Sequence, residues 1–249
     1  MKKVAILPAR MGSSRFPGKP LASILGRPMI EHCYKRVAMS KTVADVYVAT
    51  CDDEIRVAVE GFGGKVIMTS DRHERASDRI AEAMEKIDAD IAVMVQGDEP
   101  MTFPEMIDEA LAPFLSDPSI LCVNLTKRIE TEAEYLSPHT IKVVMDRKGN
   151  AMYMSREPIP NRPKGNFSAI SAFKQVCIMP FSRQALALYS SLPPTPLEIS
   201  ESIDMLRLLE HGYPVRMVET RFDTQAVDTP EDLARVSELM RADPLVGCY

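Results

Sequence analysis

Short apolar runs alternate with amphipathic segments through the first hundred residues of this 249-residue chain. The apolar runs have the length of buried strands, and the amphipathic segments have the spacing of helices that cover a sheet. The predicted strands are 3–9, 45–49, 65–68 and 90–95, and the predicted helices are 28–39, 53–61 and 76–87. This alternation predicts an α/β fold with a mostly parallel, doubly wound sheet and helices on both faces.

The pattern changes after Pro104, where strand-like runs follow one another less regularly. A turn at 148–150 predicts a hairpin, and 158–168 contains three prolines and a glycine, which indicates an exposed loop. The other predicted elements are helices 104–115, 182–190, 197–211 and 228–241 and strands near 172–179 and 214–219. We therefore expect one domain in two parts, residues 1–103 with 220–249 and a mixed antiparallel middle lobe of residues 104–219.

Composition narrows the classes of protein that fit this pattern. Apolar residues make up 45% and charged residues 26%, as in globular domains, and the net charge of −5 argues against general nucleic-acid binding. Five scattered cysteines form no C-x-x-C or metal-binding spacing, which is typical of free thiols in a reducing cytoplasm. No apolar run approaches about 18 residues and no signal-peptide core begins the chain, so we expect a cytoplasmic protein without membrane insertion.

The loop after the first strand is rich in groups that suit an anion. It carries three cations, Arg10, Arg15 and Lys19, together with Gly12 and the hydroxyl of Ser13. Glycine lets backbone N–H groups approach phosphate oxygens, and the cations neutralise their charge. We interpret the loop as a polyphosphate site; the alternative is a solvated turn.

This loop differs from the common nucleotide-binding signatures. A P-loop has four residues between its glycines and a Ser or Thr after its lysine. Here five residues separate Gly12 from Gly18, and Pro20 follows Lys19. No G-x-G-x-x-G opens a helix, so the dinucleotide-binding signal is absent. The loop is therefore predicted to be a different kind of phosphate site.

One aspartate is a direct candidate for binding a metal ion. Gln96, Gly97 and Asp98 follow the strand 90–95, at the edge of a parallel sheet where ligands bind. A carboxylate that faces a polyphosphate is best explained by a bridging Mg²⁺ ion, because the two anions repel each other. The alternative is an aspartate in an ordinary turn.

A second aspartate stands just before the closing helix. Thr229 is a helix cap, Pro230 suits the first helical position, and Asp232 comes three residues after the cap. Capping explains these three residues but not Asp228. On the residues alone, the role of Asp228 stays open between structure and function.

Four segments of the chain resemble the 3-deoxy-manno-octulosonate (Kdo) cytidylyltransferases. They are ARMGSSRFPGKPL, VQGDEPM, PLEISESIDMLR and VDTPEDLARV, and they occur in the family's order and at similar spacing over nearly the whole chain. Many sugar nucleotidyltransferases share the loop, whereas the pairing of VQGDEP with VDTPEDL is more specific. The resemblance implies a Mg²⁺-dependent enzyme that transfers CMP from CTP to an acidic 3-deoxy sugar and releases pyrophosphate.

The resemblance also implies a role for individual residues. The phosphates of CTP would be bound by Arg10, Gly12, Ser13, Arg15 and Lys19, with catalytic roles for Arg10, Lys19 and Asp98. The metal ligands would be Asp98 and Asp228, and the residues on the cytosine side would be His73 and Arg79. The sugar would be bound by Gln96, Arg156, Gln175, Glu201 and Asp204. The family further implies a homodimer, with the lobe 104–219 binding sugar and forming the interface, and a role in lipopolysaccharide or surface-glycan synthesis.

The chain departs from the family at several of these positions. Where the family has His-x-Ser-Gly-Thr-Glu-Arg at the base, this chain has Arg75 and Ala76 inside the motif, so cytosine selection is less secure than phosphate binding. Gln175 replaces a sugar-contacting histidine and Met205 replaces a glutamine. Two alternatives follow: the acceptor is Kdo, or it is a modified ulosonate such as an amino derivative or another acidic sugar.

Two further functions compete with this interpretation. One is a nucleotidyltransferase that uses a different nucleotide or acidic sugar. The other is a non-catalytic nucleotide-binding module, whose signature would be loss of a metal aspartate or of Lys19. Both aspartates and all the cations of the loop are present.

Overall fold

The computed structural model describes residues 1–12 and 16–249. These residues divide into two units, Met1–Asp108 with Phe222–Tyr249 and Glu109–Arg221. Helix α4 (Pro104–Ser116) contains the division between them. The assignment of sugar binding and dimer contacts to residues 104–219 stays a prediction.

The first unit is built on parallel strands. Its strands are β1 Lys3–Pro8, β2 Ser23–Ile24, β3 Arg27–Pro28, β4 Asp45–Thr50, β5 Lys65–Met68 and β6 Ile91–Val95. Its helices are α1 Met29–Ala38, α2 Asp53–Gly61, α3 Ala76–Glu85 and α9 Pro230–Arg241. Strands β6, β1, β4 and β5 lie side by side in that order, all parallel, and β2 pairs with β3 in a short antiparallel ribbon.

Strand β1 occupies the interior of this sheet because its sequence is apolar on both faces. Residues Val4 to Leu7 are fully buried, as expected for a parallel strand covered on both sides. The chain builds outward from β1 through β4 to β5 and then returns to place β6 on the other side of β1. The carboxyl ends of β1 and β6 therefore meet at the point where the strand order reverses, which is where ligands bind in such sheets.

The second unit contains a mixed sheet with the order β12, β7, β10, β8, β9. The strands of this unit are β7 Val123–Arg128, β8 Lys142–Met145, β9 Ala151–Ser155, β10 Phe173–Val176, β11 Ile178–Ser182 and β12 Arg216–Glu219. Its helices are α5 Glu132–Leu136, α6 Arg183–Ser191, α7 Pro196–Glu201 and α8 Met205–Glu210. Strand β10 is antiparallel to β7 and β8, β12 is parallel to β7, and β8 and β9 form the predicted hairpin.

The α/β fold with a mostly parallel sheet and a mixed middle lobe is thus confirmed. Two predicted elements are each divided in the structure. The helix expected over 197–211 is two helices, because Ser202 adopts a left-handed conformation with φ of 55° and ends α7. The predicted strand near 172–179 is likewise divided between β10 and β11. No helix in the described part of the chain is long and apolar enough to cross a membrane.

Candidate functional site

A cavity of about 290 Å³ opens in the first unit, beyond the carboxyl ends of β1 and β6. Seven of the residues predicted from the sequence line it: Arg10, Lys19, His73, Arg79, Gln96, Asp98 and Asp228. Gly12 does not line it and is exposed, with open space where a Cβ atom would stand. The predictions for Ser13 and Arg15 lie outside the described residues.

Lys19 lies between the two aspartates at one end of this cavity. Its Nζ is 2.6 Å from Oδ2 of Asp98 and 3.5 Å from Oδ1 of Asp228. Lys19 begins a 3₁₀ turn directly after Gly18, whose φ of 73° is readily adopted by glycine. Since both carboxylates lie within ion-pair distance of one ammonium group, they face a common point in the cavity.

Two backbone contacts bring the aspartates together from distant parts of the chain. The amide of Val227 donates to the carbonyl oxygen of Asp98 at 2.9 Å. The amide of Asp228 donates to Oδ2 of Asp232, within the predicted capping box of Thr229 and Asp232 at the start of α9. The cap therefore fixes the direction in which the chain enters α9, and the side chain of Asp228 lines the cavity.

Close packing beneath the cavity explains the glycine before Asp98. A Cβ atom on Gly97 would lie 3.1 Å from both the Pro8 carbonyl oxygen and Cδ1 of Ile30. The thiol of Cys33 on α1 donates to the Gly97 carbonyl oxygen at 3.4 Å. Burial, reinforced by the charge of Asp98, raises the pKa of this thiol, so it keeps its proton. Strand β1 and helix α1 thus hold the backbone from which Asp98 projects.

The carboxylates of Asp98 and Asp228 suit a hard divalent cation that is bound together with a ligand. Among the described residues, no group of three or more His, Cys, Asp or Glu side chains could hold a metal ion. Mg²⁺ typically takes one or two carboxylates and completes its shell with phosphate oxygens and water. Asp98 and Asp228 fit that pattern, with the positive charge of Lys19 beside them.

Further lining residues of the cavity lie around the start of α3. Arg79 is almost fully buried, and its NH1 group donates to Oγ1 of Thr69 at 2.5 Å and to the Ser70 carbonyl oxygen at 3.3 Å. Nε2 of His73 lies 2.6 Å from Oε2 of Glu82. These contacts hold the side chains of Arg79 and His73 in place.

The hydrogen bonds around Glu82 stabilise its ionised carboxylate form. Burial alone would raise its pKa, but hydrogen bonds from Lys86, from the Ser70 amide and from His73 outweigh burial and lower the pKa to about 2. The sequence reasoning missed this residue. Its spacing of three from Arg79, which puts both on one side of α3, is the signal that could have indicated it.

Other residues missed by the sequence reasoning also support the cavity. Glu74 lines it directly, beside Arg75 and Ala76, which the sequence had already singled out as departures from the family's base motif. Asp52 accepts a hydrogen bond from the Met11 amide at 2.7 Å and so fixes the start of the phosphate loop. Asp52 follows β4, at the same edge of the sheet as Asp98, which is the signal that could have identified it.

The predicted sugar-binding residues fall in two places. Gln96 lines the cavity of the first unit, and the other four lie in the second unit. There, Glu201 accepts hydrogen bonds from the Arg156 amide at 2.8 Å and from the hydroxyls of Tyr153 and Ser155. Burial would raise the pKa of Glu201, but these hydrogen bonds outweigh it and lower the pKa.

The remaining predicted sugar residues have separate surroundings in the second unit. Nε2 of Gln175 donates to Oδ1 of the buried Asn124 at 2.5 Å. Asp204 stands at the N-terminal end of α8. Met205 is completely buried, with its sulfur 3.7 Å from Sγ of Cys122. The methionine at this position therefore packs inside the unit.

The chain matches a known protein family over most of its length. A family described as cytidylyltransferase matches residues 4–222. A 3-deoxy-manno-octulosonate cytidylyltransferase of Geobacter metallireducens is 48% identical over 96% of this chain and 97% of its own length. The enzyme of the same name from Geobacter sulfurreducens is 46% identical over 97% of this chain and its own full length.

A solved structure agrees with these sequence matches. It is CMP:2-keto-3-deoxy-manno-octonic acid synthetase complexed with CTP, with a TM-score of 0.90 and 42% identity. The alignment covers 97% of this chain and 99% of that one. The similarity therefore extends over both units of the chain.

Proposed function

Because this chain belongs to the 3-deoxy-manno-octulosonate cytidylyltransferase family, we propose that it transfers the cytidylyl group of CTP to Kdo and releases pyrophosphate. The observation that carries this proposal is the convergence of Lys19, Asp98 and Asp228 at one end of the cavity. Cations and carboxylates at one point suit the transfer of a charged phosphoryl group, which depends on positioning and charge stabilisation.

The residues of the cavity have different roles in this reaction. The anomeric hydroxyl of the sugar attacks the α-phosphorus and loses its proton to water, while the bond from that phosphorus to the oxygen shared with the β-phosphorus breaks and pyrophosphate leaves. Lys19 and Arg10 stabilise the negative charge that develops on the departing pyrophosphate. Holding the two substrates in line contributes on the order of 7–11 kcal/mol to lowering the barrier. No covalent intermediate with the protein is required.

Asp98 and Asp228 are the proposed ligands of Mg²⁺. When bound, the ion neutralises phosphate charge and polarises the phosphoryl oxygens. The support for this role is the orientation of both carboxylates toward a common point, together with a donor set that leaves positions for phosphate and water. Lys19, close to both carboxylates, offsets one of their two negative charges before CTP arrives.

Kdo is proposed as the acceptor because the relatives that span the whole chain carry that name. The replacement at Met205 gives no support to a different sugar, since this side chain is completely buried against Cys122. The replacement at Gln175 keeps an amino-derivative of Kdo as the competing acceptor. Arg156 and Glu201 are proposed to contact the sugar, from a cluster that hydrogen bonds hold rigid.

The wider biological setting is part of the same proposal. The activated sugar would serve lipopolysaccharide or surface-glycan synthesis, and the enzyme would act in the cytoplasm as a homodimer. A sedimentation-velocity run on the purified chain tests the dimer: a single species at the monomer mass over a wide concentration range would reject it.

One assay tests the central proposal. The purified protein is incubated with Mg²⁺, one of CTP, UTP, GTP or ATP, and either Kdo or its amino derivative, and pyrophosphate is measured together with the mass of the sugar product. We expect rapid turnover with CTP and Kdo. Turnover confined to the amino derivative would replace the acceptor, and binding of CTP without turnover of either sugar would favour the non-catalytic module.

A further inference from the structure

A buried hydrogen-bond network is formed on helix α1 by residues that do not line the cavity. His32 and Arg36 on this helix are completely buried, and they meet Tyr249 in the segment after α9. Nδ1 of His32 lies 2.8 Å from the Tyr249 hydroxyl, and its Nε2 lies 2.8 Å from the Ile24 carbonyl oxygen. Arg36 donates from Nε to the same hydroxyl at 3.4 Å and from NH2 to Oδ2 of Asp243 at 2.6 Å. These contacts join three separate segments of the first unit.

The direction of each hydrogen bond in this network is fixed by its partners. A carbonyl oxygen only accepts, so Nε2 of His32 carries the hydrogen toward Ile24. Burial, reinforced by the charges of Arg27 and Arg36, lowers the pKa of His32, so the ring is neutral at neutral pH and Nδ1 is an acceptor. The Tyr249 hydroxyl therefore donates to Nδ1 of His32 and accepts from Nε of Arg36. Loss of this one hydroxyl leaves two buried groups unsatisfied.

The network reaches Lys19 through the short ribbon of β2 and β3. Ile24 ends β2, and the amide of Ala22, just before that strand, donates to the carbonyl oxygen of Lys19 at 3.1 Å. The carbonyl oxygen of Ala22 accepts in turn from the amide of Met29, the first residue of α1, at 2.8 Å. Lys19 therefore stands on a turn that is attached at two points to the helix that carries His32.

Helix α1 and the segment after α9 reach the two aspartates of the cavity. Cys33 on α1 donates to the carbonyl oxygen of Gly97, directly before Asp98, at 3.4 Å. Helix α9 begins two residues after Asp228 and ends two residues before Asp243, the buried acidic partner of the network. The three charged groups that meet in the cavity are therefore carried by segments that meet a second time in this network.

The chemistry of the network favours positioning over stability as its role. Arg36 is completely buried, and its NH1 group has no hydrogen-bond partner among the described residues. Burying a charged pair such as Arg36 and Asp243 costs about as much as the pair returns, and apolar side chains of the same volume often stabilise a fold as well. Directional hydrogen bonds, in contrast, allow one arrangement of the segments that they join.

We propose that Tyr249 is a positioning residue for the reaction, acting through the hydrogen bonds of its hydroxyl. These hydrogen bonds set the mutual positions of Lys19, Asp98 and Asp228, and the hydroxyl itself touches neither substrate. The inference rests on the proposed function, because it takes these three groups as the ones that act on CTP and Mg²⁺. Loss of the hydroxyl should therefore alter how the phosphate and metal groups are arranged, and not how the sugar is bound.

The proposal is tested by comparing Tyr249→Phe with a matched control, Tyr34→Phe. Tyr34 lies on α1, and its hydroxyl donates to the Val46 carbonyl oxygen at 3.0 Å and accepts from the Lys65 amide at 3.1 Å. Each variant loses one hydroxyl with two hydrogen bonds at the same helix, but only Tyr249→Phe opens the network. Melting temperatures measure the loss of stability. Pyrophosphate release, measured against Mg²⁺, CTP and Kdo, gives kcat and the half-saturating concentration of each.

The two variants should differ in activity and not in stability. We expect Tyr249→Phe to lower kcat roughly five- to hundred-fold and to raise the half-saturating Mg²⁺ concentration, since the reacting groups are no longer held in line. The KM for Kdo should change less than about threefold, because all but one of the predicted sugar residues lie in the second unit. Tyr34→Phe should melt at a similar temperature and keep kcat within about threefold of the unmodified protein. Full activity of Tyr249→Phe, or equal kcat values for the two variants, overturns the proposal.

Hydrogen exchange on the metal-free protein tests the same link without turnover. The amide of Val227 donates to the Asp98 carbonyl oxygen at 2.9 Å, so its exchange rate reports how firmly the two aspartate segments are held together. We expect this amide to exchange roughly ten-fold faster in Tyr249→Phe than in Tyr34→Phe, and equal rates overturn the proposal. Failure of the unmodified protein to turn over CTP would instead reject the proposed function, and the exchange rates would still decide the role of Tyr249.

Discussion

The ammonium group of Lys19 lies 2.6 Å from the carboxylate of Asp98, although 79 residues separate them in the chain. Asp228 approaches the same ammonium group from the far end of the sequence. Both side chains of the Lys19–Asp98 pair are largely shielded from solvent, with 12% and 27% of their surfaces exposed. The predicted phosphate loop and the turn that carries the proposed metal ligand are thereby in contact, and the role of each can be tested separately.

Asp98→Asn should abolish turnover and leave the fold intact. The amide preserves the shape of the side chain but loses the charge that binds a cation, so we expect pyrophosphate release to fall by about 10²–10³-fold or more. Asp88→Asn, a change at an exposed position before β6, is the matched control and should retain full activity. Melting temperatures of both variants should stay close to that of the unmodified protein. Near-normal pyrophosphate release by Asp98→Asn would contradict the metal assignment.

Substitutions at Asp228 and Asp232 should distinguish the proposed metal-binding role from helix capping. Asp228→Asn should lose turnover with little change in melting temperature, because its side chain is at the cavity. Asp232→Ala removes the capping box of α9, so we expect a loss of about 0.5–2 kcal/mol in the free energy of unfolding and retained turnover. Thermal denaturation and the pyrophosphate assay measure both effects. The reverse pattern would assign the catalytic role to the wrong aspartate.

Gly97→Ala should destabilise the protein and reduce its activity together. The added Cβ atom would lie 3.1 Å from the Pro8 carbonyl oxygen, and backbone cannot move aside cheaply. We expect a loss of about 1–3 kcal/mol and a displaced Asp98. Gly61→Ala is the control, because nothing lies within 4 Å of its added Cβ atom at the end of α2. Chemical denaturation measures the free energy of unfolding of both variants, and the pyrophosphate assay measures their turnover. Equal stability of the two variants would show that Gly97 is not tightly enclosed.

The ionised form of Glu82 should contribute stability that depends on pH. Its pKa falls from the ordinary value of 4.5 in the unfolded chain to about 2 in the fold, so the contribution is complete above about pH 4.5 and is lost as the pH falls toward 2. The full effect is on the order of 3 kcal/mol. Glu82→Gln should therefore melt below the unmodified protein at pH 6, and the difference should narrow at pH 3. A difference that is constant or grows on acidification would show that the carboxylate is not stabilised in the fold.

Local sequence was sufficient for elements whose determinants are close together in the chain. The buried run from Val4 to Leu7 predicted β1, and Thr229 with Asp232 predicted the cap of α9, because periodicity and capping act over a few residues. The break at Ser202 was missed, since an apolar pattern records which side is buried and not where the backbone changes direction. Glu82 was missed for a related reason: its partner His73 lies in the loop before α3, outside the helical pattern.

The sequence by itself determined the alternation of strands and helices and, through its resemblance to a family, the reaction; the phosphate loop stays a prediction from the sequence. Only the tertiary structure decided that Lys19, Asp98 and Asp228 face one point, that Asp228 lies at the cavity, and that Glu82 contacts His73. The physical reason is the reversal of strand order around β1, which brings the carboxyl ends of β1 and β6 together. Distances across that edge depend on packing between segments far apart in the chain, and no local pattern records them.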